Sequence, residues 1–261
     1  KVFERDEMTD RAIAPYIMEW QDQNQLPDLD FEDGVLHFHH VHSGSLNGLQ
    51  FVLHKGECLT LLDMDNRIAD DILGLLTGGS ACARGRITLE HELYTPKRAA
   101  RYLDEGVAVI PKDPVEHLLF PHRTYMENLT FLLDRKLGRS LIPGRIYRSI
   151  RDEYAPLAGA AIDETNILNL SLEEQMSLIY YRVQLLHPRV LICIQPLARG
   201  DMLCRRKILS LIRESLRQGT AVLITTTNVS DTLEISDRLM VVEGGICTAA
   251  YDKPEFDRIA R

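Results

Sequence analysis

The stretch LQFVLHKGECLTLLDMDNRIADDILGLLTGG, residues 49–79, carries the pattern that decides the fold. Residues 49–53 alternate in hydropathy as one strand of a hairpin does, and residues 58–62 form a short apolar run that is typical of a buried parallel strand. A polar loop at 63–67 follows, and then isoleucine and leucine recur at helical spacing up to a Gly-Gly pair at 78–79, where a helix is expected to end. The stretch therefore predicts a strand, a loop and a helix in that order.

Short apolar strands alternate with helices on both sides of this unit. Residues 35–41 are predicted to pair with residues 49–53 in an antiparallel hairpin. The other predicted strands are residues 86–89, 107–110, 190–194, 221–224 and 239–242. The other predicted helices are residues 96–103, 146–154, 172–186, 202–217 and 231–235. This alternation predicts an α/β fold with a mainly parallel sheet that is covered on both faces, and a run of helices inserted in its middle.

Composition narrows the class of protein without naming a function. The 261 residues include 30 Lys plus Arg against 38 Asp plus Glu, a formal charge of −8, and 45% are hydrophobic. These proportions indicate a soluble globular protein, and the acidic balance argues against a general nucleic-acid binder. The five cysteines include no CxxC pair, which indicates a reducing compartment. No apolar run reaches the roughly 20 residues of a membrane span.

The order of the motifs resembles the nucleotide-binding domain of ATP-binding cassette (ABC) proteins, and most of all the second cassette of the tandem ATPases of bacterial sugar importers. Residues 49–62 are similar to the strands that lead into the family's phosphate loop, and the segment DILGLLTGG is similar to the helix that follows it. Three later segments resemble the glutamine-loop region, the Walker B strand and the Ser-Asp-Arg strand: GVAVIPKDPVEHLLFPHRTYMENLTF (106–131), LHPRVLICIQPLARGD (186–201) and EISDRLMVVEGGI (234–246).

The resemblance implies a three-layer P-loop NTPase-like (RecA-like) core, an antiparallel β subdomain and an inserted helical subdomain at about residues 121–187. One cassette domain is expected at residues 34–261. Residues 1–33 are interpreted as a lead-in or linker, with the tail of a preceding cassette as the alternative. Because the sequence begins at Lys1 without a methionine, we expect it to be a fragment or a processed form.

The segment at the phosphate-loop position departs from the family pattern. A phosphate loop needs glycines, a lysine for the β- and γ-phosphates and a Ser or Thr hydroxyl for Mg²⁺. In this register Ala69 stands at the lysine position, Asp70 and Asp71 replace the hydroxyl pair, and all three loop glycines are missing. Four aspartates repel a polyanion, so we predict that ATP does not bind here in the usual manner. The degenerate loop positions are Asp63, Asp65, Asn66, Arg67, Ala69, Asp70 and Asp71.

The other chemical motifs are altered as well. The family's Walker B strand ends in an Asp that orients Mg²⁺ and a Glu that acts as general base. Ile194 and Gln195 stand at these positions, and neither side chain does that work at pH 7. The switch-histidine position falls at about Thr227. The signature segment keeps its serine but loses its glycines, and its positions are Ser171, Leu172 and Glu173.

These departures predict a pseudo-ATPase with a regulatory, scaffolding or interaction role related to carbohydrate ABC transporters. No catalytic residue, cofactor or metal is expected. One alternative is an ATP-binding subunit of a sugar importer that still uses ATP and Mg²⁺ with a partner cassette, and another is a cytosolic module that senses a different ligand. The expected partners are another cassette, in tandem or as a dimer that includes a homodimer, and a membrane permease that docks near Tyr125 and Met126. The expected location is the cytoplasm or the inner face of the membrane, without nucleic acid.

Two further groups of residues are interpreted as structural. The histidines of residues 37–42 are expected to be exposed on the hairpin, with His37 and His39 on one face; a metal site is the alternative. Tyr180 and Tyr181 are expected to pack in the core. The four aspartates of residues 63–71 have a divalent-cation site as their alternative interpretation, but they lack regular EF-hand spacing.

Overall fold

Two β-sheets organise the computed structural model, which describes residues 34–133, 142–229 and 232–256. Four strands form an antiparallel sheet in the order β2-β1-β4-β5, and six form a second sheet in the order β10-β9-β3-β8-β7-β6. The strands are β1 (Gly34–Ser43), β2 (Leu46–His54), β3 (Cys58–Leu62), β4 (Arg84–Leu89), β5 (Glu92–Leu93), β6 (Val107–Ile110), β7 (Val190–Ile194), β8 (Ala221–Thr226), β9 (Arg238–Glu243) and β10 (Ile246–Asp252). The predicted lead-in at residues 1–33 lies outside the described residues.

The six-stranded sheet is parallel except at one edge. Strand β3 pairs in parallel with β8 and β9, β7 pairs in parallel with β6 and β8, and only β10 runs antiparallel, beside β9. All five residues of β3 are buried, as its continuous apolar run predicts. The prediction of an α/β fold with a mainly parallel sheet and an antiparallel β subdomain is confirmed.

Seven α-helices lie in the described residues. They are α1 (Ala69–Thr77), α2 (Pro96–Ala99), α3 (Pro114–Leu118), α4 (Tyr125–Thr130), α5 (Gly144–Ala158), α6 (Leu172–Leu185) and α7 (Met202–Arg217). Apolar residues of α1 share a core with the antiparallel sheet and one face of β3, whereas α4 to α7 share another core with β6, β7 and β8. The large sheet therefore lies between two layers, and the expected burial of Tyr180 and Tyr181 is confirmed at 0% and 3% exposure.

Helix α1 ends where its sequence predicts. Gly78 follows the helix with φ +80°, and a Cβ on that residue would lie 2.5 Å from the Ala100 backbone nitrogen. Only glycine satisfies both the left-handed backbone and this close approach.

Two predicted helices differ from the structure, and one strand of the structure was not predicted. The predicted helix at 96–103 ends at Ala99, because the chain then passes through successive turns to Gly106, whose φ is +76°. Residues 232–235 of the predicted helix at 231–235 form hydrogen-bonded turns, and Asp231 lies outside the described residues. Strand β10 was not predicted. The Gly-Gly turn before it and the apolar residues at every second position, Cys247, Ala249 and Tyr251, which are buried, are the sequence pattern that indicates it.

The hairpin histidines are only partly as expected. His37 and His39 share a face, with stacked rings 5.5 Å apart, but His37 is 3% exposed and its Nε2 lies 2.8 Å from the Gly34 carbonyl oxygen. The expectation of an exposed His37 is therefore wrong, since the strand start covers its ring. His40 has φ +46° within an irregularity of β1, so that Val41 continues the buried face of Phe38.

Candidate functional site

The loop between β3 and α1 lies at the carboxyl edge of the parallel sheet. The next strand of this sheet after β3 is β6, which lies at the far edge. Strands β7 and β8 then fill the positions between β6 and β3, and β9 lies on the other side of β3. Open α/β sheets bind ligands at such a reversal of strand order, outside the carboxyl ends of the strands. Residues 63–68 are therefore the first candidate for a functional site.

The Asp63 side chain closes this loop from the inside. Asp63 is 5% exposed, and its Oδ2 accepts the backbone N–H groups of Arg67 at 2.5 Å and of Ile68 at 2.8 Å. In phosphate loops such convergent backbone N–H groups bind phosphate oxygens. Two loop N–H groups are thus already hydrogen-bonded to a carboxylate of the same chain.

The first turn of α1 carries no cation. Ala69 is buried at the expected lysine position, and Asp70 is exposed beside it. The Oδ2 of Asp71 accepts the Ser45 backbone N–H at 2.6 Å, which ties α1 to the turn between β1 and β2. A Cβ on Gly44 of that turn would lie 2.1 Å from Asp71 Oδ1, so this contact depends on glycine. Asp71 is therefore a structural link and not a replacement for a metal-binding hydroxyl.

The loop is joined to the end of β7 by a side-chain hydrogen bond. Asn66 and Gln195 have φ of +53° and +45°, and Gln195 Nε2 donates to Asn66 Oδ1 at 2.5 Å. The backbone N–H of Gln195 donates to the Thr225 carbonyl at 2.8 Å, while Ile194 is buried at 6% exposure. The structure thus brings together one residue of the expected phosphate-loop segment and one of the expected Walker B positions, and the pair that meets consists of two neutral amides.

The residues expected to form the signature segment lie at an ordinary helix cap. The Ser171 hydroxyl accepts the Glu174 backbone N–H at 3.3 Å, and Glu174 Oε2 accepts the Ser171 backbone N–H at 2.8 Å. Leu172 is 39% exposed and Glu173 is half-buried. Across the described ranges no hydrogen bond or ion pair joins this segment to residues 63–71 of the same chain.

The switch position lies beside a small cavity at the ends of β7 and β8. Thr227 is half-buried, and its neighbour Thr226 donates its hydroxyl hydrogen to the Asn228 carbonyl at 2.7 Å. The cavity has a volume of about 200 Å³ and is lined by Thr227, Gln195 and Ala198, among others. A threonine here offers a hydroxyl and no titratable group near neutral pH.

The surface charge around the loop is acidic. Asp65 and Asp70 are exposed together with a single arginine, Arg67. Two unit charges 4 Å apart interact with about 1 kcal/mol in water and with several times more near a protein surface. A triphosphate at this position would face this repulsion while the Asp63 carboxylate holds two of the loop N–H groups.

A second candidate surface is an apolar groove beside the edge strand β6. Phe120 and Phe131 are 37% and 50% exposed, with ring centroids 4.2 Å apart. They line a cavity of about 180 Å³ that also reaches Val109 of β6. Tyr125 and Met126, near which a permease was expected to dock, are 1% and 4% exposed and belong to the core, so their side chains do not form this surface.

The Asn128 side chain holds the segment that carries Phe120. Asn128 is 0% exposed, and its Oδ1 accepts the Phe120 backbone N–H at 2.8 Å. Its Nδ2 donates to three carbonyl oxygens, those of Phe120 at 3.1 Å, Thr124 at 3.1 Å and Arg123 at 3.3 Å. The sequence pattern did not single out Asn128 for this role.

A buried arginine also lines the groove beside β6. Arg182 of α6 is 4% exposed and donates from one guanidinium nitrogen to the Leu118 carbonyl at 2.7 Å. Burial lowers the pKa of Arg182 to about 10. The guanidinium hydrogen-bonds to the carbonyl end of α3 and thereby joins α3 to α6.

Two general findings apply to the described part of the chain. No helix there is long and apolar enough to cross a membrane. No group of three or more His, Cys, Asp or Glu side chains there has the geometry to hold a metal ion.

Comparison with known proteins supports the resemblance to ABC cassettes. No family model matches the chain. Curated relatives include ATP-binding proteins of bacterial sugar importers, such as the xylose import ATP-binding protein of Photobacterium profundum, 26% identical over 219 residues. That match covers 78% of this chain but 41% of the relative, so the chain spans about two fifths of its length.

Solved structures show the fold. A cassette from Clostridium perfringens, titled as part of the ABC transporter complex cbiONQ, matches with a TM-score of 0.73 and 18% identity, covering 87% of this chain and 92% of that one. A bacterial ABC transporter cassette titled as a dimeric structure matches with a TM-score of 0.68 and 15% identity, covering 84% and 98%. The chain therefore has the fold of an ABC cassette and resembles the ATP-binding proteins of sugar importers in sequence.

Proposed function

We propose that this chain is a cassette-fold interaction domain of an ABC-type assembly, with a regulatory or scaffolding role and without ATP hydrolysis of its own. The observation that carries the proposal is the hydrogen bond between Gln195 and Asn66, which fills the place between β3 and β7 with neutral amides. ATP hydrolysis needs a cation on the phosphates, a metal ligand and a water-orienting base in that place.

The side chains around this hydrogen bond supply none of the three. Ala69 carries no charge, Ile194 offers no metal ligand, and the Gln195 amide does not accept a proton at pH 7. A single loss of this kind would reduce the rate of phosphoryl transfer. The combined loss supports a domain that kept the fold for protein contacts.

An ATP-binding subunit of a sugar importer is the second candidate function. It is favoured by the relatives, which are ATP-binding proteins of xylose and ribose import. In that case a partner cassette supplies a complete phosphate loop, and this chain contributes the Ser171 segment to a shared site. The exposed Leu172 and the engagement of Ser171 with Glu174 argue against such a contribution.

The groove beside β6 supports a protein partner. Exposed aromatic side chains over an apolar floor are typical of the central part of an interface. We propose that it takes a helix of a membrane permease of the carbohydrate-transporter type, which places the domain at the inner face of the cytoplasmic membrane. A second cassette is the other proposed partner, because a bacterial cassette of the same fold forms a dimer in its solved structure.

Restoring the general-base position tests the loss of hydrolysis. We expect that Gln195→Glu releases no phosphate from Mg-ATP above the rate of the wild-type chain, because Ala69, Ile194 and Asp63 still prevent phosphate and metal binding. The measurement is phosphate release with and without the variant, under conditions where an intact bacterial cassette of the same fold turns over.

Turnover by the wild-type chain would contradict the proposal and favour the ATP-binding subunit. A gain of turnover in Gln195→Glu would contradict it as well, since that result requires a phosphate loop that still binds ATP. The double variant Ile194→Asp with Gln195→Glu is a matched comparison. It is also expected to remain inactive, because Ala69 and Asp63 still prevent phosphate binding.

A further inference from the structure

The Asp63 carboxylate is buried, at 5% exposure, and its burial must be compensated by hydrogen bonds or an ion pair. A buried carboxylate is strongly unfavourable unless it is paired or hydrogen-bonded. In the described part of the chain Asp63 forms no ion pair, and the backbone N–H groups of Arg67 and Ile68 are the donors that compensate its burial. Its charge is therefore held by the loop itself.

The geometry of this contact is that of an anion in a nest of backbone N–H groups. The two donors are consecutive residues, and both point at one oxygen, Oδ2, at 2.5 and 2.8 Å. Helix α1 begins directly afterwards at Ala69, so the positive end of its dipole faces the same region. A phosphate oxygen would take the same two donors.

The loop backbone is anchored independently of this carboxylate. The Asp63 N–H donates to the Thr226 carbonyl at 2.9 Å, and the Asp63 carbonyl accepts the Asn66 N–H at 3.1 Å. Asn66 is in turn held by Gln195 at 2.5 Å. Removal of the Asp63 side chain therefore leaves the anchors of the loop in place.

We propose that the Asp63 carboxylate is a built-in anion that inhibits the loop by occupying the N–H groups a phosphate would use. The inference rests on the proposed loss of nucleotide binding at the same loop and names the contact that enforces it. The loop keeps the shape that binds an oxyanion and is closed by its own side chain.

Amide hydrogen exchange of Arg67 and Ile68, followed by NMR in the full chain, tests the contact. In Asp63→Gly we expect both amides to exchange about tenfold faster or more, because each loses a charge-assisted hydrogen bond. Inorganic phosphate is expected to restore their protection in this variant and to leave the wild-type rates unchanged. Sodium chloride at matched ionic strength is the control for a general salt effect.

Two variants keep the test decisive. Asp63→Asn retains the shape of the side chain and one acceptor oxygen, so a smaller increase in exchange is expected in this variant. It takes the place of Asp63→Gly in the test if Asp63→Gly folds poorly. Asp65→Asn removes an exposed charge from the same loop and is expected to leave both amides unchanged. Unchanged exchange in Asp63→Gly would overturn the inference, and so would faster exchange that phosphate does not reverse. ATP binding by the wild-type chain would instead overturn the proposed function.

Discussion

Replacement of Asn128 by alanine is expected to lower the free energy of unfolding by about 3 kcal/mol, since a fully buried amide with four hydrogen bonds is lost. The Phe120 N–H loses its acceptor, and the carbonyls of residues 120, 123 and 124 lose a donor. Because these bonds fold residues 120–124 back over α4, the segment that carries Phe120 is expected to loosen first. Equilibrium denaturation followed by circular dichroism measures the loss.

Two variants control this prediction. Asn128→Asp keeps an acceptor for the Phe120 N–H but removes the donor and buries a charge, so a large loss is expected there too. Asn169→Ala removes an exposed amide and is expected to change the stability by no more than about 0.5 kcal/mol. A loss below about 1 kcal/mol in Asn128→Ala would show that the network does not hold this segment.

The double substitution Phe120→Ser with Phe131→Ser is expected to weaken binding of the proposed permease partner by about tenfold or more. Truncated aromatic anchors at the centre of an interface commonly cost about 2 kcal/mol or more each, and a factor of ten corresponds to about 1.4 kcal/mol. Both rings are partly exposed, so the fold is expected to tolerate the change better than a core substitution. Affinity is measured with the purified permease in detergent.

The helical surface offers a matched control for this substitution. Leu157 and Leu168 are 56% and 63% exposed and do not line the groove. The pair Leu157→Ser with Leu168→Ser is expected to leave the affinity unchanged. Equal loss in both double variants, or retained affinity in the groove variant, would contradict the assignment of this surface.

The unit of β3, loop and α1 was predictable from local pattern. Strand β3 was predicted with its observed bounds, since a five-residue apolar run has little choice but to be buried. The end of α1 at Gly78 followed from the need for a left-handed residue. The bounds of α7 were likewise predicted from Met202 to Arg217, because a long amphipathic helix is the most regular pattern a sequence offers.

The groove surface was not predictable, for a physical reason. Helix α4 has six residues, and five of them are buried, so hydropathy gives no sign of which neighbouring residues remain outside. Tyr125 and Met126 face the core, whereas Phe120 and Phe131, just before and just after α4, remain exposed. The packing of α4 against α6 and the hydrogen bonds of Asn128 to Phe120 set this division.

The burial of the Asp63 side chain was also not predictable from the sequence. The aspartates of the loop read as one acidic cluster, and charge alone predicts that all of them stay in water. Three of them do not behave alike: Asp63 binds two loop N–H groups, Asp71 binds the Ser45 N–H, and Asp65 is exposed. Which aspartate accepts a backbone hydrogen bond depends on how close its carboxylate lies to the loop after β3 or to the turn between β1 and β2.

Calorimetric titration of the chain with Mg-ATP measures whether the loop of residues 63–71 binds nucleotide. We expect no saturable heat with millimolar Mg-ATP, that is, a dissociation constant weaker than about 1 mM. An intact cassette of the same fold, titrated in the same buffer, shows that the conditions support binding. Saturable binding with a micromolar dissociation constant would show that the loop accepts a triphosphate, and the proposed loss of nucleotide binding would then be wrong.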